Sequence, residues 1–595
     1  MSLKKASILF AAAMIARTAF SQVPPARTHM PDVPFFLESM IFRSLQMAVF
    51  PAAAVGMIDD PYSDLIWNPA FVLRQDKKSV YLTLNTGAEP SWTASAASSD
   101  YRNFYRYSSD KQVMTYWSTQ SSIANVNNKP LYNIAAIIPL NPRFSLSVMN
   151  RTIFDYSPYR SMGLYDWRDS NYGDAPSTMK KEPQRLSVDK DQQRVFGNQF
   201  QVSLGYRLSD KIQLGLRWGL FTYDRDGDVH DSDKGIYPHS SFDNLLSETL
   251  GIKGHHLEAG VGLLWQLDNK TRLGFYGGLT WGKGEESLNS RDRNSDWSEN
   301  ERNPAYYRRY DNDLTSAETH PADGSRPNLA LTFERDFSEK LRFRSFFSFT
   351  WSNNDLKGSA LSEYASSWDT TYDYYDGDSK QYFFRRSEYR SRSRDDFSGT
   401  GKEKTAQFKG FASLAYAPAN RWAFFGGVHI QRGTYSRDIL ETTAFLSESE
   451  TAHTLYRPGT ENFHHSYQKN YDVRIDYDQW AFFLPLGMRF EIKKGLYVIL
   501  GTDLTLILTE GHDRGDVDYI SKITRRWENG RLIVNDEEFN RSEVFRSDSP
   551  NTLERHLGNR FGIVYEFNSL LAFHLRCEDD VTRTSNWACG FEIRW

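Results

Sequence analysis

The sequence predicts an all-β fold, a transmembrane antiparallel β-barrel of about sixteen strands, in a range of roughly fourteen to eighteen, with an N-terminal segment lodged in its lumen. Three observations predict it. Runs of roughly 8 to 14 residues alternate apolar and polar side chains, as half-buried strands do. Short turns and long polar connections alternate strictly along the chain. Aromatic residues reach 15% beside a mean hydropathy of −0.60. A barrel reconciles that last pair, because only one face of each strand is apolar and polar connections dilute the average.

The elements follow in order. The opening "MSLKKASILFAAAMIARTAFSQ" has a positive start at Lys4 and Lys5, then an apolar stretch. Ala19-Phe20-Ser21 completes a small-x-small signal, so residues 1–21 read as a signal peptide. Residues 22–78 form the segment before the barrel. A barrel occupies 79–595 and carries long extracellular loops. No later stretch has about 18 consecutive apolar residues, as a transmembrane helix would need.

In "FQVSLGYRL", Phe200, Val202, Leu204 and Tyr206 share one face. In "IQLGLRWGL", Ile212, Leu214, Leu216 and Trp218 oppose Gln213, Gly215 and Arg217. "LEAGVGLLW" and "RLGFYGGLTW" put Gly260, Gly262, Gly274 and Gly278 on the second face. "LRFRSFFSFTW" sends Arg342 and Arg344 inward and Phe347, Phe349 and Trp351 outward. Arg489 and Asp503 lie on the inward face of two later strands, and Leu504 on the lipid face. One face stays apolar while the other takes Gly, Arg, Glu and Gln, which is the lipid-out, water-in pattern of a barrel.

Tight turns fall at 140–143, 208–211, 267–271, 336–340, 417–421, 492–495 and 567–570. Long polar stretches separate them, near 88–130, 153–198, 223–254, 283–326, 353–405, 435–477 and 510–558. In the last, "YISKITRRWENGRLIVND" reads as an extra hairpin, which sets the upper end of the strand range. With this alternation, Trp281, Trp351 and Trp480 fall at one rim and Trp265, Trp422 and Trp595 at the other. Two aromatic belts suit the two membrane interfaces. The final strand "ACGFEIRW" presents Phe591, Ile593 and Trp595 on one face, and Trp595 is expected to close the barrel against strand one.

The segment "AAAVGMIDDPYSDLIWNPAFV" resembles the hatch of the FadL-type outer-membrane transport proteins. Those carry a Gly/Ala-rich stretch, an acidic pair, and Asn-Pro-Ala before the first strand. The matching residues here are Asp59, Asp60, Asn68, Pro69 and Ala70. The resemblance covers about thirty residues and the general strand pattern. Phe71 follows the motif where Gly or Lys is usual, and the chain is longer than typical members. The resemblance implies a porin-like, hatch-plugged barrel in the outer membrane of a Gram-negative bacterium. It implies passive transport of hydrophobic or small molecules and a hydrophobic small-molecule ligand. Its PorV-like branch implies the alternative, a non-transporting surface scaffold or shuttle in protein secretion or adhesion. It also makes Phe591, Ile593 and Trp595 similar to the terminal signal read by the outer-membrane barrel assembly machinery.

Other features are weighed on their chemistry. Cys577 and Cys589 are the two cysteines; both lie in outward register on adjacent strands, which permits a disulfide in an oxidising compartment. "FFRRSEYRSRSR" (383–394) follows the acidic "DTTYDYYDGD" (369–378). The pair reads as a self-neutralising loop, or as arginines meeting lipopolysaccharide phosphates beside the membrane lipid. The 71 Lys and Arg against 75 Asp and Glu leave a net charge of −4, without the basic excess of a nucleic-acid binder. The sequence suggests no catalytic constellation, metal site or cofactor motif.

Overall fold

The structure, a computed structural model, describes residues 44–49, 56–85, 101–108, 113–120, 130–158, 164–165, 192–237, 240–300, 303–376, 378–419, 421–454, 458–578 and 587–595. The expected signal peptide, residues 1–21, and the segment up to residue 43 lie outside them. A four-residue helix, α1 (Leu45–Ala48), and two 3₁₀ turns, Asp64–Ile66 and Pro69–Arg74, precede the strands. The strands are β1 (Ser79–Asn85), β2 (Tyr101–Ser108), β3 (Val113–Gln120), β4 (Pro130–Asn141), β5 (Phe144–Pro158) and β6 (Leu164–Tyr165). Then come β7 (Gln192–Arg207), β8 (Ile212–Tyr237), β9 (Ser240–Gln266), β10 (Thr271–Asn300), β11 (Asn303–Ser338) and β12 (Leu341–Asp376). The last are β13 (Gln381–Ala419), β14 (Trp422–Thr454), β15 (Gly459–Lys493), β16 (Leu496–Glu528), β17 (Arg531–Glu566), β18 (Leu571–Glu578) and β19 (Trp587–Arg594).

Sixteen of these close one antiparallel ring, in which β1 pairs with both β19 and β4. Ser79 lies opposite Arg594, and Lys78 and Trp595 exchange backbone hydrogen bonds of 3.2 and 3.0 Å below that pair. Trp595 therefore closes the ladder as expected, because an edge left unpaired in lipid would strand its N–H and C=O groups.

The face assignment holds. Leu504 is 38% exposed on the outer surface while Asp503 beside it is 2% exposed inside. Trp281, Trp351 and Trp480 are exposed toward one end of that surface, and Trp265, Trp422 and Trp595 toward the other. On β14 the apolar band runs from Trp422 to Arg432, which pairs with Trp480 of β15. That is about the strand length a bilayer core requires.

The long connections are corrected. The stretches 223–254, 283–326, 353–405, 435–477 and 510–558 are not loops but continuations of the strands, joined by short bends at their far ends. The acidic run 224–233 thus lies within β8. At 39 residues, β13 is about 130 Å long, several times what the membrane needs. These stretches read as loops because both faces are polar where both meet water, which erases the alternation; ladder pairing still satisfies the backbone. "YISKITRRWENGRLIVND" is the tip of the β16–β17 hairpin, turning at Asn529 (φ 50°) and Gly530 (φ 76°), and adds no strand to the sixteen.

The other side of the ring is shorter. β2, β3 and β6 form a separate small sheet in that order. Its register matches the wall below. Twelve residues up β4 and β5 from the pair Pro130–Ile153 lie Ser118 and Tyr165, which are paired. The β3–β6 ladder thus has the register that an uninterrupted β4–β5 ladder would have.

Candidate functional site

The candidate site is the interface between the N-terminal hatch and the inner wall. Met47, Val49, Met57, Ile58, Tyr62, Leu65, Trp67 and Ala70 to Leu73 bury their side chains in one cluster. Tyr81, Ile137, Leu264, Phe411, Phe425, Ile499 and Val564 face them from the wall. A segment this apolar folds against the inward face of strands because nothing else at that depth removes it from water.

The Asn68-Pro69-Ala70 motif sits at the centre. Asn68 is extended (φ −159°, ψ 122°) and caps the 3₁₀ turn Pro69–Arg74, its Oδ1 accepting from the Ala70 N–H at 2.9 Å. Pro69 fits the first position of that turn, where no N–H is needed. The motif thus starts a 3₁₀ turn that ends shortly before β1. The Asn68 amide also donates to the Leu263 and Phe275 carbonyls, at 3.0 and 2.9 Å, and so ties the hatch to β9 and β10. The wall glycines explain how it comes so near. A methyl on Gly262 would overlap the Asn68 amide, and one on Gly215 would overlap the Ala70 backbone.

The acidic pair divides its work. Asp59 meets Arg342 and, at 3.0 Å, Arg344, both from β12. Crowding by the wall would push its carboxyl up, but Arg344 and Arg342 outweigh that and hold it below the ordinary range. Asp60 is buried and accepts from Ser63 and from the Ser44 N–H at 3.4 Å. Burial pushes its carboxyl up against those hydrogen bonds.

Sequence reasoning missed the larger cluster. Arg344 also holds Asp64 at 2.9 Å and Glu334 at 2.8 Å, and donates to the Gly56 and Ile58 carbonyls at 3.1 and 3.2 Å. Arg74 meets Glu334 from the hatch side. Four strands round the wall, on β8, Arg217 donates to the Leu65 and Ile66 carbonyls, where it closes the 3₁₀ turn, and meets Glu258 at 3.2 Å. Tyr62 donates to Ser79 at 2.9 Å and Glu592 at 3.3 Å, bracing the seam between first and last strands. The inward arginines were legible by alternation; their partners, several hundred residues away in sequence, were not.

Above the hatch the inward face turns polar. Ser348, Thr350 and Ser352 of β12, Thr405, Gln407 and Lys409 of β13, Gln431 of β14 and Gln479 of β15 follow the inward register. Ser352 and Thr405 share a 2.6 Å hydrogen bond, and Gln479 donates to Thr509 at 3.2 Å. Higher still, Leu356, Phe397, Ile439, Tyr471, Val473 and Val517 form a second apolar cluster.

One expectation is corrected: Cys577 and Cys589 form no disulfide. They share a face, but Cys577 pairs with Trp587 and Cys589 with Leu575, an offset of two residues that exceeds disulfide reach. The arginines of 383–394 pair with carboxylates of β12 and β13, as the self-neutralising reading has it: Arg386 holds Asp369 at 2.6 Å and Arg394 holds Asp396 at 3.2 Å. Arg394 and Arg386 lie 12 and 20 residues above Ala406, the partner of Trp351 in the outer belt, far from lipid phosphates. Phe591 and Ile593 lie exposed on the outer face with Trp595.

No family profile and no curated protein matches the sequence. Among solved structures the chain is similar to a FadL homologue of Pseudomonas aeruginosa, with 10% identity over 91% of this chain and 95% of that one and a TM-score of 0.29. It is similar to the toluene transporter TbuX of Ralstonia pickettii, with 11% identity over 65% and 92% and a TM-score of 0.23. It is also similar to the siderophore receptor PiuA of Acinetobacter baumannii, with 8% identity over 88% and 82% and a TM-score of 0.23. Likenesses this distant carry no argument about function, and the fold rests on the chain's own ladders. Those ladders and the buried segment inside them make this protein a transmembrane β-barrel of sixteen strands, plugged at its N-terminal end by a hatch.

Proposed function

We propose that the protein is a passive transporter of small molecules across the bacterial outer membrane, with the hatch controlling the passage. One observation carries this reading. Sixteen strands enclose room for an aqueous channel, and the filling at membrane depth is a separate segment held to the wall by non-covalent contacts: an apolar cluster, ion pairs and single hydrogen bonds. Such contacts can break and re-form without unfolding the barrel. The polar lining above the hatch favours small solutes that keep some water contact over bare hydrocarbons. The assembly machinery would read Phe591, Ile593 and Trp595, which an outer-membrane destination requires.

The test is flux in liposomes holding the wild type or the double variant Asn68→Ala, Pro69→Ala. Small sugars and monoaromatic compounds serve as the solutes. The variant should remain a folded, heat-modifiable barrel and pass small solutes faster. If neither protein passes or binds any of them, transport is wrong, and the work of the molecule lies in the tall wall outside the membrane, as a scaffold would have it.

A further inference from the structure

Among the described residues, the outer face of the barrel carries a concavity just above its upper aromatic belt. The groove measures ≈ 470 Å³ and crosses β13 to β16, lined on its outward side by Lys404, Thr434, Ser436, Asp476, Glu510 and His512. We propose that it holds the polar head of an outer-leaflet lipid, a phosphorylated sugar.

Height is the first argument. Arg432 lies over the Trp480 ring at 5.3 Å and marks the belt. Thr434 and Ser436 follow on the same face of β14, about 5 and 9 Å higher for a strand tilted near 45°. The headgroup layer of a bilayer is about 5 to 8 Å deep on each side. Thr434 falls within that layer, and Ser436 with its ladder partners Lys404 and Asp476 at its outer edge, so the groove opens toward lipid heads. The arginines of 383–394 lie far above that layer.

The chemistry of the lining selects the head. Asp478 is forked by Arg432 at 2.8 and 3.3 Å, and Asp476 by Arg474 at 2.8 Å. Both are neutralised but keep acceptor lone pairs for hydroxyl groups. Glu510 stands 3.8 Å from His512. Carboxylates braced by arginine suit sugar hydroxyls, and Thr434 and Ser436 add short donors. Lys404 is an exposed ammonium at the groove's edge, a point charge suited to a phosphate. A phosphocholine head would leave the carboxylates with no hydroxyl donors, and a phosphatidylglycerol head has only two.

The test uses the full chain in nanodiscs of phosphatidylcholine, doped with equal small fractions of lipid A and phosphatidylglycerol. Lipid that stays bound after transfer to detergent is counted by native mass spectrometry. The wild type should retain lipid A about tenfold over phosphatidylglycerol. Lys404→Glu, which reverses the charge, and Ser436→Trp, which fills the groove, should each lower that retention about tenfold. Lys357→Glu, on the outer face away from the groove, should leave it unchanged. Heat-modifiable migration confirms each variant is folded, and Lys404→Met replaces any that is not. Equal retention of both lipids would mean general attraction to anions and would overturn the proposal. So would undiminished retention in the charge-reversed and groove-filled variants.

Discussion

The inner wall has two storeys lined by different means. At membrane depth the wall turns glycine inward, and the hatch backbone enters the space those glycines leave, as Ala70 does at Gly215. Outside the membrane large inward side chains pack on the glycines of their own wall. The Tyr471 ring lies over Gly515 and the Phe397 ring over Gly399. The charges differ too. Below, Arg344 joins hatch to wall through Asp64; above, Arg437 lies 4.0 Å from Glu403, and both belong to the wall. Side chains packed on their own wall stay with it, whereas a separate segment docked on the wall can shift and open a passage.

The largest expected effect tests that distinction. Arg344→Ala removes the buried cation shared by Asp64 and Glu334 and leaves Arg74 alone between them, and removing one partner of a buried pair costs about 3–5 kcal/mol. Hydrogen exchange across 56–74 should rise sharply, and solute flux with it. Arg437→Ala should leave that exchange unchanged; equal loosening in both would show that the storeys are not independent.

Next in size is the lipid face. Leu504→Arg should cost about 2–4 kcal/mol near the midplane, read as a lower denaturant midpoint for the folded barrel. Its neighbour is not the mild control that its lumenal position suggested. Asp503 accepts from Arg560 at 2.5 Å and from Thr505 at 3.1 Å, so Asp503→Asn should cost about 1.5–3 kcal/mol. If the asparagine variant matches wild type, the Arg560 contact contributes nothing.

A smaller effect separates the two uses of glycine. Gly262→Ala forces Asn68 away from the Leu263 and Phe275 carbonyls and should cost about 1–3 kcal/mol of hatch docking, measured by exchange at 68–74. Gly515→Ala meets only the Tyr471 ring, which can turn, and should leave the hatch untouched.

The smallest effect is in pH. Asp60 has a raised carboxyl, so its contribution is present below the unfolded value of 3.8 and is lost as pH rises through the higher folded value. Asp59 is held down, so its contribution is present above 3.8 and is lost as pH falls through the lower folded value. Asp60→Asn should remove the loosening on the alkaline side while keeping the loss in acid. Hydrogen exchange of the hatch between about pH 2 and 8, corrected for the intrinsic rate, reads both; an unchanged alkaline limb would mean that Asp60 does not control it.

Much of the barrel was legible because a strand's alternation is local. Ile212 to Trp218 announce their outer face without reference to any partner, and the tight turns mark the near rim. The hatch motif was legible as a stretch, since Asn68 and Pro69 restrict their own backbone. The extent of the strands was not legible. Residues such as 369–394 are polar on both faces, and a polar strand in water resembles a loop until its partner strand is known.

By itself, then, the sequence determined the ring of about sixteen strands, which face meets lipid, and where the belts lie, because each follows from side-chain order along one strand. The tertiary structure decided how far the strands run, which wall residues receive Asn68, Asp59 and Asp64, and that Cys577 and Cys589 miss each other by two residues. These depend on register between strands and on contacts across hundreds of residues, and no local pattern encodes either.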